Sequence, residues 1–110
     1  MQLQNERRGA SLIVRVSGRL DAATTPTFEA HCQQALAQGE RALVLDFGAL
    51  EYISSAGLRG VLAVAKSVSA AHGEFTLANA RGLVRQVLEI SGFLGMFRLL
   101  DSLDTPTAQA

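Results

Sequence analysis

Residues 46 to 62 read Asp46-Phe47-Gly48-Ala49-Leu50-Glu51-Tyr52-Ile53-Ser54-Ser55-Ala56-Gly57-Leu58-Arg59-Gly60-Val61-Leu62. The stretch completes a short apolar run, Ala42-Leu43-Val44-Leu45-Asp46-Phe47, whose length suits a strand buried on both faces. Gly48 to Ile53 reads as an irregular link. Two adjacent serines follow, and then Leu58, Val61, Leu62 and Ala65 recur at helical spacing, placing Leu58, Val61 and Leu62 in the core and running the helix out near Gly73. A buried strand that hands over to a helix is the repeating unit of a parallel sheet.

The same alternation continues outward. Upstream, Leu12, Val14 and Val16 repeat at period two within Ser11 to Val16, which predicts a strand. Gln2 to Arg7 is a candidate partner strand that turns back through Gly9-Ala10, and Gly18-Arg19-Leu20-Asp21 closes the strand region. Thr25-Pro26 is a helix start, with the threonine hydroxyl as cap and proline at the first helical position. Phe28, Cys32, Ala35 and Leu36 then keep helical spacing up to Gly39. Downstream, Glu74 to Asn79 predicts a strand, and Leu83, Val84, Val87 and Leu88 form the apolar stripe of a further helix stopped by Gly92. Met96 to Leu100 is a candidate last strand, and the polar tail from about residue 102, with Pro106, is expected to fray. The fold class is therefore α/β: a small mixed, mostly parallel sheet covered by three or four helices, in one domain spanning 1–110.

Composition narrows the chemistry. Ten basic residues balance ten acidic ones, which argues against an electrostatic nucleic-acid or membrane binder. Arg7-Arg8 is the only basic pair and Lys66 the only lysine. One cysteine, Cys32, forms no internal disulfide and anchors no cysteine-rich zinc site; it is expected on a buried helix face. No apolar run is long enough to span a bilayer, and Met1 to Gly9 has no signal-peptide pattern, so a cytoplasmic protein is expected. His31 and His72 stand apart from other ligands or nucleophiles. Neither a nucleophile elbow nor a phosphate-cradling Gly-Lys loop occurs. An enzyme using Ser55 as nucleophile has no identifiable base, and no metal or cofactor is called for.

That leaves the serine pair. A serine at a helix start is ordinarily a cap worth about 1 kcal/mol. Here the surroundings say more. Tyr52-Ile53-Ser54-Ser55-Ala56-Gly57-Leu58, placed after a strand ending in Asp46, resembles the signature of the STAS-domain anti-sigma factor antagonists. Gly18-Arg19-Leu20-Asp21 is similar to the family's glycine-x-leucine-aspartate turn. Gly73-Glu74 leads into a strand as in the family, and Leu88-Glu89-Ile90-Ser91-Gly92-Phe93 is similar to its late helix end. The resemblance spans Gln4 to Asp101.

It implies a non-enzymatic switch. Unphosphorylated, such a protein binds an anti-sigma factor that is usually also a serine kinase; phosphorylation of one serine breaks the complex, and a serine phosphatase resets it. Aligned on Gly57-Leu58, the modified serine is Ser55, with Ser54 as second choice because the family often has aspartate there. The resemblance gives partner contact to Ser54, Ser55, Ala56 and Gly57, and to Asp21 in an adjoining loop. Arg59, on the first helical turn, is a further candidate for an acidic partner. Gly57 is expected to need close backbone approach. Asp21 and Asp46 also have an ordinary reading as turn or strand-end aspartates bonding nearby backbone. Two rival readings share the motif: a STAS accessory subunit of a membrane lipid-transport ATPase, and a nucleotide-sensing STAS module. Nothing in the sequence demands an oligomer, and a monomer is expected.

Overall fold

A computed structural model describes residues 1–92 and 98–100. The chain runs β1 (Gln2–Arg8), β2 (Ser11–Leu20), α1 (Thr25–Ala37), β3 (Ala42–Asp46), β4 (Leu50–Ile53), α2 (Ser55–Ala70), β5 (Glu74–Ala78), α3 (Gly82–Ile90) and β6 (Arg98–Leu100). β1 and β2 form the expected hairpin, with Gly9 at positive φ in the turn. From β2 onward the pairs β2·β3, β3·β5 and β5·β6 are parallel, giving the strand order β1-β2-β3-β5-β6. Each crossover steps the same way across the sheet, so right-handed connections bring all three helices onto one face.

Burial agrees with that layering. Leu12, Val14, Val16, Leu43, Leu45, Phe75 and Leu77 point from the strands into one cluster with Phe28, Cys32, Val61, Val64, Val68, Val84 and Leu88 from the helices. Burial also pushes the Cys32 thiol up to about 12, so it is an inert core group. The alternate strand positions face the other way. There Glu6 bonds both Arg8 and Arg15, and Arg15 Nε lies 3.2 Å from Asp46 Oδ2. This ion chain ties three strands together across their polar face.

Several expectations change. The link Gly48 to Ile53 contains strand β4. Phe47, Gly48 and Ala49 make a turn closed by Leu50 N donating to Phe47 O at 3.0 Å. The turn lays Leu50–Ile53 beside Gly18–Leu20, the part of β2 that reaches past β3. β2 accordingly runs to Leu20 instead of ending near Val16. Gly18, at φ +88°, takes up a register shift there that a side chain would strain.

At the start of α1, Thr25 takes the first helical position and Pro26 the second, one later than expected, and no threonine hydroxyl caps the helix. Thr25 Oγ1 donates back to Asp21 O at 2.6 Å, so it holds the preceding loop. Leu83 leaves the expected stripe: α3 buries only Val84 and Leu88. Leu58 and Leu62 are half-buried where core positions were expected. Of the candidate last strand, Arg98–Leu100 is observed; Met96 and Phe97 lie outside the described residues, as does the tail from Asp101.

Candidate functional site: the amino end of α2

Helix α2 starts at Ser55, and its position is fixed by main chain. Ser54 N donates to Leu20 O at 2.9 Å, which continues the β2·β4 ladder up to the helix. Ser54 has extended backbone (φ −91°, ψ 175°) and is the N-cap: its Oγ accepts from Gly57 N at 3.1 Å. Its carbonyl accepts from Leu58 N at 2.8 Å, the first bond of the helix. The two serines are therefore in different states. Ser54 is half-buried with its hydroxyl engaged in the cap; Ser55 is exposed at the first helical position. No acidic residue occupies the first turn of α2, so the positive end of the helix dipole has no carboxylate from its own turn.

Gly57 is pressed against the same carbonyl. A Cβ there would stand 2.4 Å from Leu20 O and 3.0 Å from Leu20 C. The expectation of a close backbone approach is met. One turn on, Gly60 faces α1, where a Cβ would stand 2.3 Å from Thr25 Cγ2. The two glycines let α2 sit down on the end of β2 and against α1.

Asp21 lies next to this seat, directly after Leu20. Its Oδ1 accepts from Ala23 N at 3.0 Å and Thr24 N at 3.1 Å. The Thr24 N–H bond leads the causes that hold the carboxyl below its usual range. Asp21 thus shapes the β2–α1 loop in the way an ordinary turn aspartate does. Its Oδ2 is 3.9 Å from Arg19 Nε.

Asp46 is committed elsewhere: Oδ1 accepts from Gly48 N and Asn79 Nδ2, both at 2.9 Å, and so pins the β3–β4 turn to β5. Of the motif residues beyond Ser55, Ala56 is half-buried, Gly57 buried and Arg59 exposed. The sequence reading missed two things here. One is Leu20, whose carbonyl seats both Ser54 and Gly57. The other is the pairing of Arg19 with Tyr52, whose guanidinium lies 4.2 Å from the ring centroid. Neither has a signal in a single sequence, since both depend on β4 lying beside β2.

The sequence pattern of the STAS domain matches residues 2–105. The chain belongs to the STAS domain family. Within it, this STAS domain is 41% identical over 108 residues to BtrV of Bordetella bronchiseptica, which is named as an anti-sigma factor antagonist; the match covers 98% of this chain and 93% of that one. The crystal structure of an anti-sigma factor antagonist from Mycobacterium paratuberculosis superimposes with TM-score 0.84 at 30% identity, over 94% of this STAS domain and 87% of that chain. SpoIIAA of Bacillus in its phosphorylated form shares the fold at TM-score 0.76 and 24% identity, covering 98% of both chains. These relatives place the STAS domain among the anti-sigma factor antagonists, regulatory proteins that work by binding. Among the described residues no cluster of His, Cys, Asp and Glu is suited to hold a metal, and no helix is long and apolar enough to cross a membrane.

Proposed function

We propose that this protein works by partner switching, with Ser55 as the switch. In the unphosphorylated state it binds an anti-sigma factor that is also a serine kinase, and so frees the kinase's target. Phosphorylation of Ser55 abolishes binding, and a serine phosphatase restores it. The observation that carries the reading is the division of labour between the serines. Ser54 Oγ is taken by the Gly57 N–H, whereas Ser55 is exposed at the helix start. A kinase needs the second kind of hydroxyl. Solved phosphorylated SpoIIAA is a relative in which the same fold carries a phosphate.

The physics of the two states follows from that position. A phosphate adds about −1.5 to −2 charge and three acceptor oxygens. At the first position of α2 it meets unpaired N–H groups and the positive end of the dipole, so the domain keeps its fold. The cost falls on the complex, where a dianion has to be desolvated or faces acidic groups of the partner. Arg59 and the Asp21 loop border the site and supply the polar rim of the contact.

The test is mass spectrometry of the protein after incubation with Mg-ATP in host lysate, together with affinity capture by immobilised Ser55→Ala protein. One phosphate on Ser55 of the wild type, and one anti-sigma factor retained by Ser55→Ala, are expected. Ser55→Asp should weaken that binding at least about tenfold but less than phosphate does, because it carries less charge. A phosphate on Ser54, or a Ser55→Ala protein that folds but captures no anti-sigma factor, would overturn the reading.

A further inference from the structure

Helix α3 is more apolar than its packing requires. At about 100° per residue, Leu83, Val84, Val87, Leu88 and Ile90 fall on one continuous arc of about 160°. Only Val84 and Leu88 at one side of that arc are buried. Leu83 is 55% exposed and Ile90 83% exposed, and they are the exposed large hydrophobics among the described residues. Leu83 and Ile90 lie two turns apart on nearly one line of the helix, and Val87, half-buried against the core, flanks them on the inner side, so the three make a ridge at spacing i, i+4, i+7 whose exposed part is Leu83 and Ile90. Scattered exposed leucines need no account, but two on one helix face, with a third apolar residue beside them, form an unsatisfied surface. The remaining arc, Arg85, Gln86 and Glu89, is close to neutral because Arg85 Nε pairs with Glu89 Oε2 at 3.2 Å. The ridge therefore favours an apolar partner surface over a charged one.

Its position names the partner. α3 packs against β4, and β4 runs directly into Ser54 and Ser55. α2 and α3 both begin where a parallel strand ends, so Leu83 on the first turn of α3 lies at the same end of the sheet as Ser55. From there the ridge extends about 10 Å along the helix. A stable protein contact covers about 800 Å² on each side, far more than one helix start provides. A partner seated on Ser55 has to cover neighbouring surface, and the exposed large hydrophobics of the described residues, Leu83 and Ile90, stand on the helix that packs against β4.

We infer that the Leu83–Val87–Ile90 ridge is a second docking surface for the same anti-sigma factor, receiving an apolar patch or helix face of that protein. This rests on the partner-switching reading. The ridge supplies affinity that does not depend on the phosphate, and Ser55 supplies the control. Interface energy of this kind sits mainly in the dissociation rate.

The experiment compares three forms for binding to the anti-sigma factor captured by Ser55→Ala, purified and immobilised: wild type, Ser55→Asp, and the double variant Leu83→Gln with Ile90→Gln. Glutamine keeps helix propensity, and both positions are exposed, so the double variant should melt within a few degrees of wild type. The expected result is a dissociation constant raised about tenfold or more by faster release. A second expected result is a higher KM for phosphorylation of Ser55, with kcat unchanged. Wild-type affinity in the double variant, with Ser55→Asp impaired, overturns the ridge and leaves the switch standing. A wild type that binds no anti-sigma factor overturns both. A wild type that sediments as a dimer while the double variant is monomeric assigns the ridge to self-association and overturns the inference.

Discussion

Helices α2 and α3 lie on the same face of one sheet and are held to different degrees. α2 buries Val61, Val64, Ala65 and Val68 and is locked further by close approach: Gly57 rests on the main chain of Leu20, and Gly60 on the methyl of Thr25. Any atom added at these places meets something that is itself fixed. α3 is attached by two buried side chains, Val84 and Leu88, with Val87 half-buried beside them, and leaves Leu83 and Ile90 in solvent. Close meshing gives position, and loose attachment gives surface. In the proposed switch the first serves the serine to be modified and the second the surface that a partner grips.

The contrast can be broken most severely at Gly57. Gly57→Val drives a side chain into the Leu20 carbonyl, and overpacking against backbone should cost about 3 kcal/mol or more. That corresponds to a loss of over about 10 °C in Tm, measurable by calorimetry, with loss of partner binding. An unchanged Tm with full binding would show that α2 is not locked there. Gly60→Ala comes next, at about 1–2 kcal/mol. Its obstacle is a methyl whose threonine is held by the 2.6 Å bond to Asp21 O, and the better helix propensity of alanine offsets part of the cost.

Ser54→Ala removes the cap and should cost about 1 kcal/mol, or about 5 °C, while leaving Ser55 open to phosphate. If Ser54→Ala blocked modification as completely as Ser55→Ala, the division of roles between the serines would be wrong. A smaller effect is expected at Asp21. Its carboxyl is held below the usual range, so the stability it contributes is present above that range and is lost as pH falls through the lowered value. Wild type and Asp21→Asn should therefore differ in Tm at neutral pH and converge in acid. Smallest of all is the effect on stability of the glutamine pair in α3, where the loss should appear in binding alone.

The sequence made the layering legible because the apolar spacing of Leu12 to Val16, Ala42 to Phe47 and Glu74 to Asn79 is set by burial, which local pattern records. It made the motif legible because Ser54, Ser55 and Gly57 stand next to one another. β4 escaped because four residues that are buried, exposed, half-buried and buried carry no period, and their pairing depends on how far β2 overreaches β3. The cap of α1 escaped because two threonines compete for one loop, and the winning bonds run backward to Asp21 and Arg19. The exposure of Leu83 escaped because spacing shows an apolar arc but not how wide an arc the neighbours cover. Which serine is free was not legible either, since that turns on a bond to Gly57 N that only the start point of the helix decides.

The seat of Gly57 on the Leu20 carbonyl has a further consequence. The contact contains no side chain from either partner, so the residues that face outward around Ser55 take no part in it. They can change freely without moving the hydroxyl. On the partner-switching proposal, a lineage, or an engineer, can duplicate this domain and give each copy its own addressee by altering Arg59, the loop after Asp21 or the face of α3. Several such pairs could then operate in one cell without crosstalk, all from one unaltered mechanical part.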